Sequence, residues 1–346
     1  MDAPDHPTQA LVTGATGFIA SHLVPALVGS RWRVRATGRR PRPPGMPSEV
    51  DYLPADLAGD DQGTLDALLD GVTHVLHLAG ASSSFADQAE MQRSNVVATQ
   101  RLLDAVDSGR IERFVYMSST SVYGEEVQLP SPVPEDVERH PSRGYGKAKE
   151  ETERVVEEHG RGGLPVVTLR PVSVYGPGNV KLLASAILDV AIDRRAGHGA
   201  VTVASEPIEQ RLVHVDDLVA ACIHLAVHDD AVGRAFNVVL PEYPTSHEVA
   251  TMIAGHFGLP VELSDDPDAG RSYEARSATH AEMVADGMEP AIALTPERFR
   301  FLRKANRNNR LSVDALLGTG FTFGHPDLAA DVGPLVGWYR DRRWIV

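Results

Sequence analysis

The amino-acid sequence predicts an α/β protein built on a doubly wound parallel sheet. Through residues 10–170, short apolar runs of strand length alternate with amphipathic stretches of helix length. This alternation is typical of a parallel sheet covered by helices on both faces. A glycine-rich turn, Thr13-Gly-Ala-Thr-Gly17, joins the first predicted strand to the first predicted helix. A strand, such a turn and a helix in this order indicate a Rossmann dinucleotide-binding fold.

The individual elements follow from the apolar pattern. Strands are predicted at residues 10–13, 32–37, 74–79, 113–118, 165–170 and 235–240. Helices are predicted at residues 17–28, 64–69, 95–106, 145–159 and 181–194, and residues 213–227 hold a short strand and then a helix.

The alternation loosens after Pro171, which predicts two lobes. Residues 1–172 and 212–240 are assigned to the dinucleotide-binding Rossmann domain. Residues 173–211 and 241–346 are assigned to a smaller mixed α/β lobe that binds the substrate, with polar loops around residues 264–279. We expect this lobe to lie over the ends of the strands. A chain of 346 residues is long enough for both lobes.

Composition excludes several classes of protein. The formal net charge of −14 repels a phosphate backbone, so no nucleic-acid partner is expected. Cys222 is the single cysteine, so no disulfide forms within the chain, and the 14 histidines show no metal-ligand spacing, so no metal is expected. The first nine residues lack the apolar core of a signal peptide, and no apolar run approaches the ~20 residues of a membrane span. A cytoplasmic protein with no membrane partner is therefore expected.

The turn after the first strand is the predicted phosphate site. Gly14 permits a tight turn, and Gly17 lets the backbone approach a pyrophosphate held at the helix N-terminus. Ala20 takes the third small position, where glycine is commoner, and still allows close helix–strand packing. The alternative interpretation is an ordinary strand–helix turn.

The adenosine end of the predicted cofactor site follows the second strand. Many such sites have an acid there that binds the ribose hydroxyls, whereas this chain has Gly38-Arg39-Arg40. An arginine fork suits a 2′-phosphate, so NADP(H) is favoured over NAD(H), although the pair could also be solvated. Asp56 is placed either to bind the adenine amino group or to cap a helix.

Tyr145 and Lys149 are the predicted catalytic pair. Four residues apart, they share one face of a helix. A free phenol has a pKa near ~10, so a neighbouring ammonium group is needed to favour its phenolate. A Tyr-x-x-x-Lys match is common by chance, and its specificity here comes from a second motif that precedes it.

That second motif is Tyr116-Met-Ser-Ser-Thr-Ser-Val-Tyr-Gly124. With it the chain resembles the NAD-dependent epimerase/dehydratase family, the extended short-chain dehydrogenases/reductases. The resemblance covers most of the chain and also rests on His77-Leu-Ala-Gly80, Ser94-Asn95-Val96, Leu169-Arg-Pro-Val-Ser-Val-Tyr-Gly-Pro177 and Arg211-Leu-Val-His-Val-Asp-Asp217.

The resemblance implies a role for each matching residue. Ser119 should hydrogen-bond the reacting oxygen, Tyr145 should be the acid/base, and Lys149 should bind the nicotinamide ribose. Asn95 should support the site through the backbone near Ser119, or else be a helix N-cap. The predicted dinucleotide site is completed by Thr16, Phe18, Ile19, Leu57, Leu78, Ala79, Gly80, and Pro171 to Val174.

The substrate side is predicted from the same resemblance. Arg211 stands where nucleotide-sugar members hold the diphosphate, and an acidic protein needs such a cation for an anionic ligand; a surface salt bridge is the alternative. Thr120, Asn179 and Arg310 are further candidate substrate contacts. Similar proteins form homodimers through helices equivalent to residues 95–106 and 145–159, so a homodimer is expected.

Several reactions share this machinery. Dehydratases of the family carry an acid directly beside the catalytic hydroxyl, whereas Thr120 and Ser121 stand there, so elimination is not expected. The first hypothesis is an NADP(H)-dependent ketoreductase of a nucleotide-activated sugar. The alternatives are a nucleotide-sugar 4-epimerase that retains NAD, a ketoreductase of a β-keto or sterol-like substrate, and a redox-sensing binding protein, against which the intact Tyr145 weighs.

Overall fold

The computed structural model describes residues 8–81, 87–124, 128–142, 144–303 and 310–346. The chain divides into two compact units. The first comprises Met1–Val172, Val215–Val239 and Leu311–Thr322, and the second comprises Ser173–His214, Leu240–Arg310 and Phe323–Val346. Residues 311–322 therefore belong to the first unit, whereas the sequence pattern assigned all of residues 241–346 to the second lobe. The reason is local, because Leu311 forms a β-bridge with Val133.

The described residues form eleven strands and twelve α-helices. The strands are β1 (Gln9–Thr13), β2 (Arg33–Gly38), β3 (Asp51–Pro54), β4 (His74–His77), β5 (Arg113–Met117), β6 (Val166–Pro171), β7 (Ser173–Tyr175), β8 (Val201–Ala204), β9 (Leu212–His214), β10 (Ala235–Val238) and β11 (Val261–Ser264). The helices are α1 (Phe18–Gly29), α2 (Gln62–Leu69), α3 (Gln88–Met91), α4 (Ala98–Ala105), α5 (Gly144–Arg161), α6 (Leu183–Arg195), α7 (Val215–Ala226), α8 (Ser246–Gly255), α9 (Tyr273–Ala285), α10 (Arg300–Arg303), α11 (Asp314–Leu317) and α12 (Leu328–Asp341). A π-helical turn (Gln92–Val97) joins α3 to α4, and short 3₁₀ turns lie at Thr120–Tyr123 and Asp229–Ala231.

The first unit is organised around a seven-stranded sheet in the order β10-β6-β5-β4-β1-β2-β3. All of its pairings are parallel. The chain moves outward from β1 to β3 on one side, then returns to β4 and moves outward on the other. The order reverses between β1 and β4, and a crevice at such a switch point is where doubly wound sheets bind ligands. The predicted fold class is confirmed.

Helix α5 shows how the sequence builds the faces of this sheet. Its residues Lys149, Thr152, Glu153 and Val156 are buried, and their spacing of three and four residues places them on one face. The strands β4 and β5 are buried along their full length, as expected for the centre of a parallel sheet covered on both faces.

The second unit has its own core. Two parallel strand pairs, β7 with β9 and β8 with β11, pack with α6, α8, α9 and α12. Helix α6 is buried on nearly every side, including its two acids. Asp189 is paired with Arg276 at 2.7 Å, and Asp193 is paired with Arg298. Buried carboxylates require such partners.

The prediction of polar loops around residues 264–279 is partly wrong. Helix α9 begins at Tyr273, because Ser272 caps it by accepting from the Ala275 N–H. The buried side of α9 includes Arg276. Because Arg276 is polar, the search for apolar residues did not recognise this helix. None of the described helices is long and apolar enough to cross a membrane.

Candidate active site

The glycine-rich turn lies between β1 and α1, beside the end of β4. Gly14 has a φ of +68°, and a Cβ atom on it would lie 2.8 Å from the Ala79 backbone nitrogen. Only glycine allows this left-handed turn and this close approach together. Gly17 precedes α1 without a side-chain cap, and the first intrahelical bond is from the Ser21 N–H to the Gly17 carbonyl. The N–H groups of the first turn, Phe18 and Ile19 included, therefore have no intrahelical acceptor, which suits an anionic phosphate.

A buried chain of hydrogen bonds supports this turn from behind. Thr13 Oγ1 lies 2.8 Å from His77 Nδ1, and Thr99 Oγ1 lies 2.8 Å from His77 Nε2. The Thr99 hydroxyl donates to the Asn95 carbonyl, so it must accept from His77 Nε2–H, and Nδ1 then accepts from Thr13. The Thr13 oxygen in turn accepts from the Ala79 N–H at 3.1 Å. The chain ties the loops after β1 and β4 to the helical turn that carries Asn95.

Two arginines follow β2, and the structure places them differently. The Arg40 guanidinium donates to the Thr16 carbonyl at 2.9 Å and to the Thr16 hydroxyl at 3.0 Å, so it lies against the glycine-rich turn. The Arg39 guanidinium pairs with Glu90 at 2.9 Å. Glu90 also accepts from the Ser94 hydroxyl, and hydrogen bonds from Ser94 and Arg39 lower the pKa of its carboxyl. Both arginines are exposed and open to a ligand.

Asp56 is not a helix cap. The N-cap of α2 is Asp61, which accepts from the Thr64 N–H at 2.9 Å. Asp56 instead accepts from Arg93 at 2.6 Å and from the Ala58 N–H at 3.1 Å. Partial burial raises the pKa of the Asp56 carboxyl, but these hydrogen bonds outweigh burial and lower it. An ionised carboxylate is thus held beyond the end of β3, beside the buried Leu57, and its contact with adenine stays a prediction.

The Tyr145 and Ser119 hydroxyls lie close enough for Ser119 to lower the pKa of the phenol. Ser119 begins the 3₁₀ turn after β5, and Tyr145 lies in the first turn of α5. Burial raises the pKa of the Tyr145 phenol to about 12, against the lowering effect of the Ser119 hydrogen bond. The phenol therefore carries its proton at neutral pH, and the structure brings together the two hydroxyls that the sequence predicted.

Lys149 lies one helical turn after Tyr145 and is buried. Its ammonium group donates to the Met117 carbonyl at 2.7 Å and lies 4.9 Å from the centre of the Tyr116 ring. Burial lowers the pKa of Lys149 to about 8, and the negative charge of Glu153 opposes that change. The group therefore remains mostly cationic at pH 7.

Glu153 continues the same helical face and is held by arginine. Arg170 donates to its two carboxylate oxygens at 3.0 and 2.7 Å. Burial favours protonation, yet the hydrogen bonds from Arg170 lower the pKa of Glu153. A fixed negative charge thus lies one turn below Lys149.

The structure differs from both roles predicted for Asn95. It lies inside the π-helical turn, so it is not an N-cap; Asp87 caps this helical segment. Its amide donates to the Met91 carbonyl at 3.0 Å and to the Ala81 carbonyl at 3.4 Å, not to the backbone near Ser119, where Lys149 binds instead. Among the described residues, the buried Asn95 Oδ1 has no hydrogen-bond partner.

The residues around Gly80 fit a bound dinucleotide. A Cβ atom on Gly80 would collide with Asn95 Oδ1 and lie 3.6 Å from Lys149 Nζ. A side chain is therefore excluded where an unpartnered buried oxygen and an ammonium group converge. Such groups suit the hydroxyls of a ribose. Leu78 and Ala79, which precede Gly80, are half-buried.

The remaining predicted contacts divide between the two units. In the first unit, the Thr120 hydroxyl donates to the Pro171 carbonyl at 3.4 Å. In the second unit, Val174 is half-buried and its carbonyl accepts from the Asn179 amide. Asn179 also accepts from the Lys181 N–H, so its side chain shapes its own loop. Its contact with a substrate stays a prediction.

Two predicted cations also lie in the second unit. Arg211 is partly exposed and directly precedes β9. Arg310 is paired with Glu209 at 2.6 Å and lies over the Tyr243 ring.

Sequence reasoning missed Glu90, Arg93 and Glu153. Glu90 and Arg93 come from the helical segment after β4 but act at the ends of β2 and β3. No local motif marks them, and only the strand order brings them near Arg39 and Asp56. Glu153 had a signal, because it repeats the four-residue spacing of Tyr145 and Lys149.

A glycine turn at the switch point of a parallel sheet, with a serine, a tyrosine and a lysine after β5 and in α5, defines an NAD(P)-dependent enzyme of the extended short-chain dehydrogenase/reductase class. The chain belongs to the NAD dependent epimerase/dehydratase family, whose model matches residues 10–239.

Relatives within the family include both reductases and epimerases. The chain is 27% identical over 298 residues to GDP-6-deoxy-D-mannose reductase of Pseudomonas aeruginosa, covering 83% of this chain and 94% of the relative. It is 28% identical over 255 residues to UDP-glucose 4-epimerase of Vibrio cholerae, covering 71% of this chain and 73% of the relative. Among solved structures, MoeE5 in complex with UDP-glucose and NAD matches with a TM-score of 0.68 and 28% identity, over 96% of this chain and 99% of that one. Similarity thus gives a nucleotide-sugar reductase and epimerase family without choosing between the two reactions.

Proposed function

We propose that the protein is an NADP(H)-dependent ketoreductase that reduces a keto group of a nucleotide-activated sugar. The observation that carries the proposal is the position of Arg40, whose guanidinium lies 2.9 Å from the Thr16 carbonyl in the glycine-rich turn. A cation there favours a cofactor with an additional phosphate. A phosphorylated cofactor suits a reductase that exchanges it with the bulk pool.

The proton in this reaction comes from Tyr145. When bound, the reduced nicotinamide supplies the hydride that the protein itself cannot supply. As the carbonyl becomes a hydroxyl, its oxygen needs a proton, and the Tyr145 phenol holds one at neutral pH because burial raises its pKa to about 12. With substrate bound, Ser119, whose hydroxyl lies beside the same phenol, donates its own proton to the carbonyl oxygen and holds that oxygen within reach of Tyr145.

Lys149 stabilises the charge that proton donation leaves behind. A phenolate remains on Tyr145 once its proton has moved. The buried ammonium group one turn away favours that anion, and in a buried site the attraction is stronger than in water. The same ammonium group and Asn95 Oδ1 would hold the nicotinamide ribose beside Gly80.

Elimination is not supported. The two residues after Ser119 are Thr120 and Ser121, and neither is an acid. The Thr120 hydroxyl is directed to the Pro171 carbonyl. Removal of water from a keto sugar needs a proton donor and acceptor beyond Tyr145, and this turn does not offer a carboxylate for it.

The test is an absorbance assay with NADPH and a panel of 4-keto nucleotide-sugars bearing different nucleotides. The proposal predicts loss of the NADPH absorbance in step with formation of a reduced sugar. No NADPH oxidation across the panel, by a protein that binds NADPH, would contradict it.

A second candidate is a nucleotide-sugar 4-epimerase with retained NAD. Glu90 favours this candidate. The sequence has no acid at the end of β2, but the Glu90 carboxylate lies 2.9 Å from the Arg39 guanidinium there. Such an acid binds the 2′-hydroxyl of NAD. This candidate predicts that the purified protein carries NAD⁺ and interconverts two UDP-sugars with no added cofactor and no net absorbance change.

A further inference from the structure

Ser121 directs both of its donors at the catalytic serine. The Ser121 backbone N–H lies 3.2 Å from Ser119 Oγ, and the Ser121 hydroxyl lies 3.0 Å from the same oxygen. Both serines are partly exposed on the 3₁₀ turn that follows β5. Ser121 is thus in direct contact with the group that hydrogen-bonds Tyr145.

These two contacts matter because a hydroxyl has few donor and acceptor sites. Ser119 Oγ has one proton to donate and two lone pairs that accept. A backbone N–H only donates, so it occupies one lone pair of Ser119 Oγ. If the Ser121 hydroxyl donates to the second lone pair, the contact between the two hydroxyl oxygens already carries the Ser121 proton. The Ser119 proton then points away from Ser121, toward Tyr145 or the substrate oxygen.

Ser121 packs against the residue that follows Tyr145. A Cβ atom on Gly146 would lie 2.6 Å from the Ser121 carbonyl oxygen, so glycine next to Tyr145 lets α5 pack against this turn. The Ser121 carbonyl also accepts from the Gly124 N–H, and Gly124 has a φ of +82°. Two glycines therefore fix Ser121 against the first turn of the catalytic helix.

We propose that Ser121 is a positioning residue, which saturates the acceptor sites of Ser119 Oγ and so orients the Ser119 proton toward the reacting oxygen. The hydride-transfer test of this inference rests on the proposed function, whereas a titration of Tyr145 in the dinucleotide complex does not. Hydrogen bonds in a chain strengthen one another, so loss of the Ser121 hydroxyl weakens the bond from Ser119 to Tyr145.

The first experiment needs no substrate. The phenol of Tyr145 is titrated by ultraviolet difference spectroscopy on the dinucleotide complex, as each protein minus its Tyr145→Phe counterpart, because the chain has eight tyrosines. Ser121→Ala is expected to raise the pKa of the Tyr145 phenol, and Ser121→Thr, which keeps the hydroxyl, is expected to leave it near the wild-type value.

The second experiment measures steady-state reduction. Ser121→Ala is expected to lower kcat roughly 3- to 10-fold, the effect of one hydrogen bond, with little change in KM. Ser121→Thr is expected to restore kcat, and thermal unfolding of both variants checks that they fold.

Unchanged phenol titration in Ser121→Ala would overturn the inference, and so would a Ser121→Thr variant impaired as much as Ser121→Ala. If no keto sugar is turned over, the proposed function fails while the titration still decides the role of Ser121.

Discussion

Burial shifts the pKa values of the two predicted catalytic side chains, Tyr145 and Lys149, in opposite directions. It raises the pKa of Tyr145 to about 12 and lowers the pKa of Lys149 to about 8, because a buried site penalises whichever form is charged. In the proposed reaction, the phenolate left on Tyr145 after proton donation would lie one helical turn from the Lys149 ammonium group. The negative charge of Glu153 favours the protonated form of that group.

Removal of the Tyr145 hydroxyl tests the acid role. Tyr145→Phe is expected to lower kcat about 10²- to 10⁴-fold, the usual contribution of a general acid, while dinucleotide affinity stays unchanged. Tyr273→Phe, an exposed tyrosine of the second unit, is the matched control and should retain activity. Near-normal turnover by Tyr145→Phe would refute the assignment.

Arg39 and Arg40 are expected to determine cofactor choice. The double variant Arg39→Ala/Arg40→Ala should weaken NADPH binding by about 1.5–3 kcal/mol for each charge-assisted hydrogen bond that the 2′-phosphate no longer receives, with a smaller effect on NADH. Isothermal titration with both cofactors measures it. Arg33→Ala removes a similar charge at the start of β2 and should leave the preference intact. A wild-type preference for NADH would instead favour the epimerase.

At the scale of elements, β4 contributes two buried histidines that the fold keeps neutral. Burial lowers the pKa of His77 to about 3, with help from the charge of Lys149. Burial also lowers the pKa of His74 to about 4, with help from Arg113. In the unfolded chain both return to an ordinary value near ~6.5.

These histidines predict the pH dependence of stability. Their contribution is fully present above pH ~6.5 and is lost as pH falls toward the folded-state values, because the unfolded chain then binds protons that the folded protein does not. Between pH 8 and pH 5, each should lower the free energy of unfolding by about 2 kcal/mol. Urea unfolding at the two pH values measures the decrease.

Variants separate this effect from general acid destabilisation. His74→Gln should lose about half of the decrease that the two histidines cause, whereas His256→Gln, at an exposed position, should behave like the wild type. A His74→Gln variant with unaltered pH dependence would show that β4 is not responsible.

The elements also show what sequence could and could not predict. Strands β1, β4, β5 and β6 were predicted because each is a buried, nearly continuous apolar run. Strands β3 and β11 are exposed or half-buried along their length, so they carry no such run and were missed. Tyr145 and Lys149 could be predicted from their four-residue spacing, and Ser119 from the motif around it. Glu90 could not, since its contact with Arg39 spans 51 positions and depends on the strand order.

At the scale of the whole molecule, a net charge of −14 opposes any anionic substrate. Arg211 is the predicted local cation. Arg211→Ala is expected to raise KM for a nucleotide-sugar at least about tenfold and to leave NADPH affinity unchanged, and Arg211→Lys should give an intermediate value because it lacks the fork. If KM is unaltered for every active substrate, the substrate is not a nucleotide diphosphate and a β-keto or sterol-like ketone becomes the better hypothesis.

The most direct test of the proposed ketoreductase activity follows the hydride itself. NADPH deuterated at both C4 positions of the nicotinamide is supplied with a 4-keto nucleotide-sugar, and the product is analysed by mass spectrometry, with Tyr145→Phe as the control. Direct hydride transfer predicts one deuterium on the reduced carbon of each product molecule and almost none with Tyr145→Phe. A protein that carries bound NAD⁺ and interconverts two UDP-sugars without taking up deuterium from the added cofactor would contradict it.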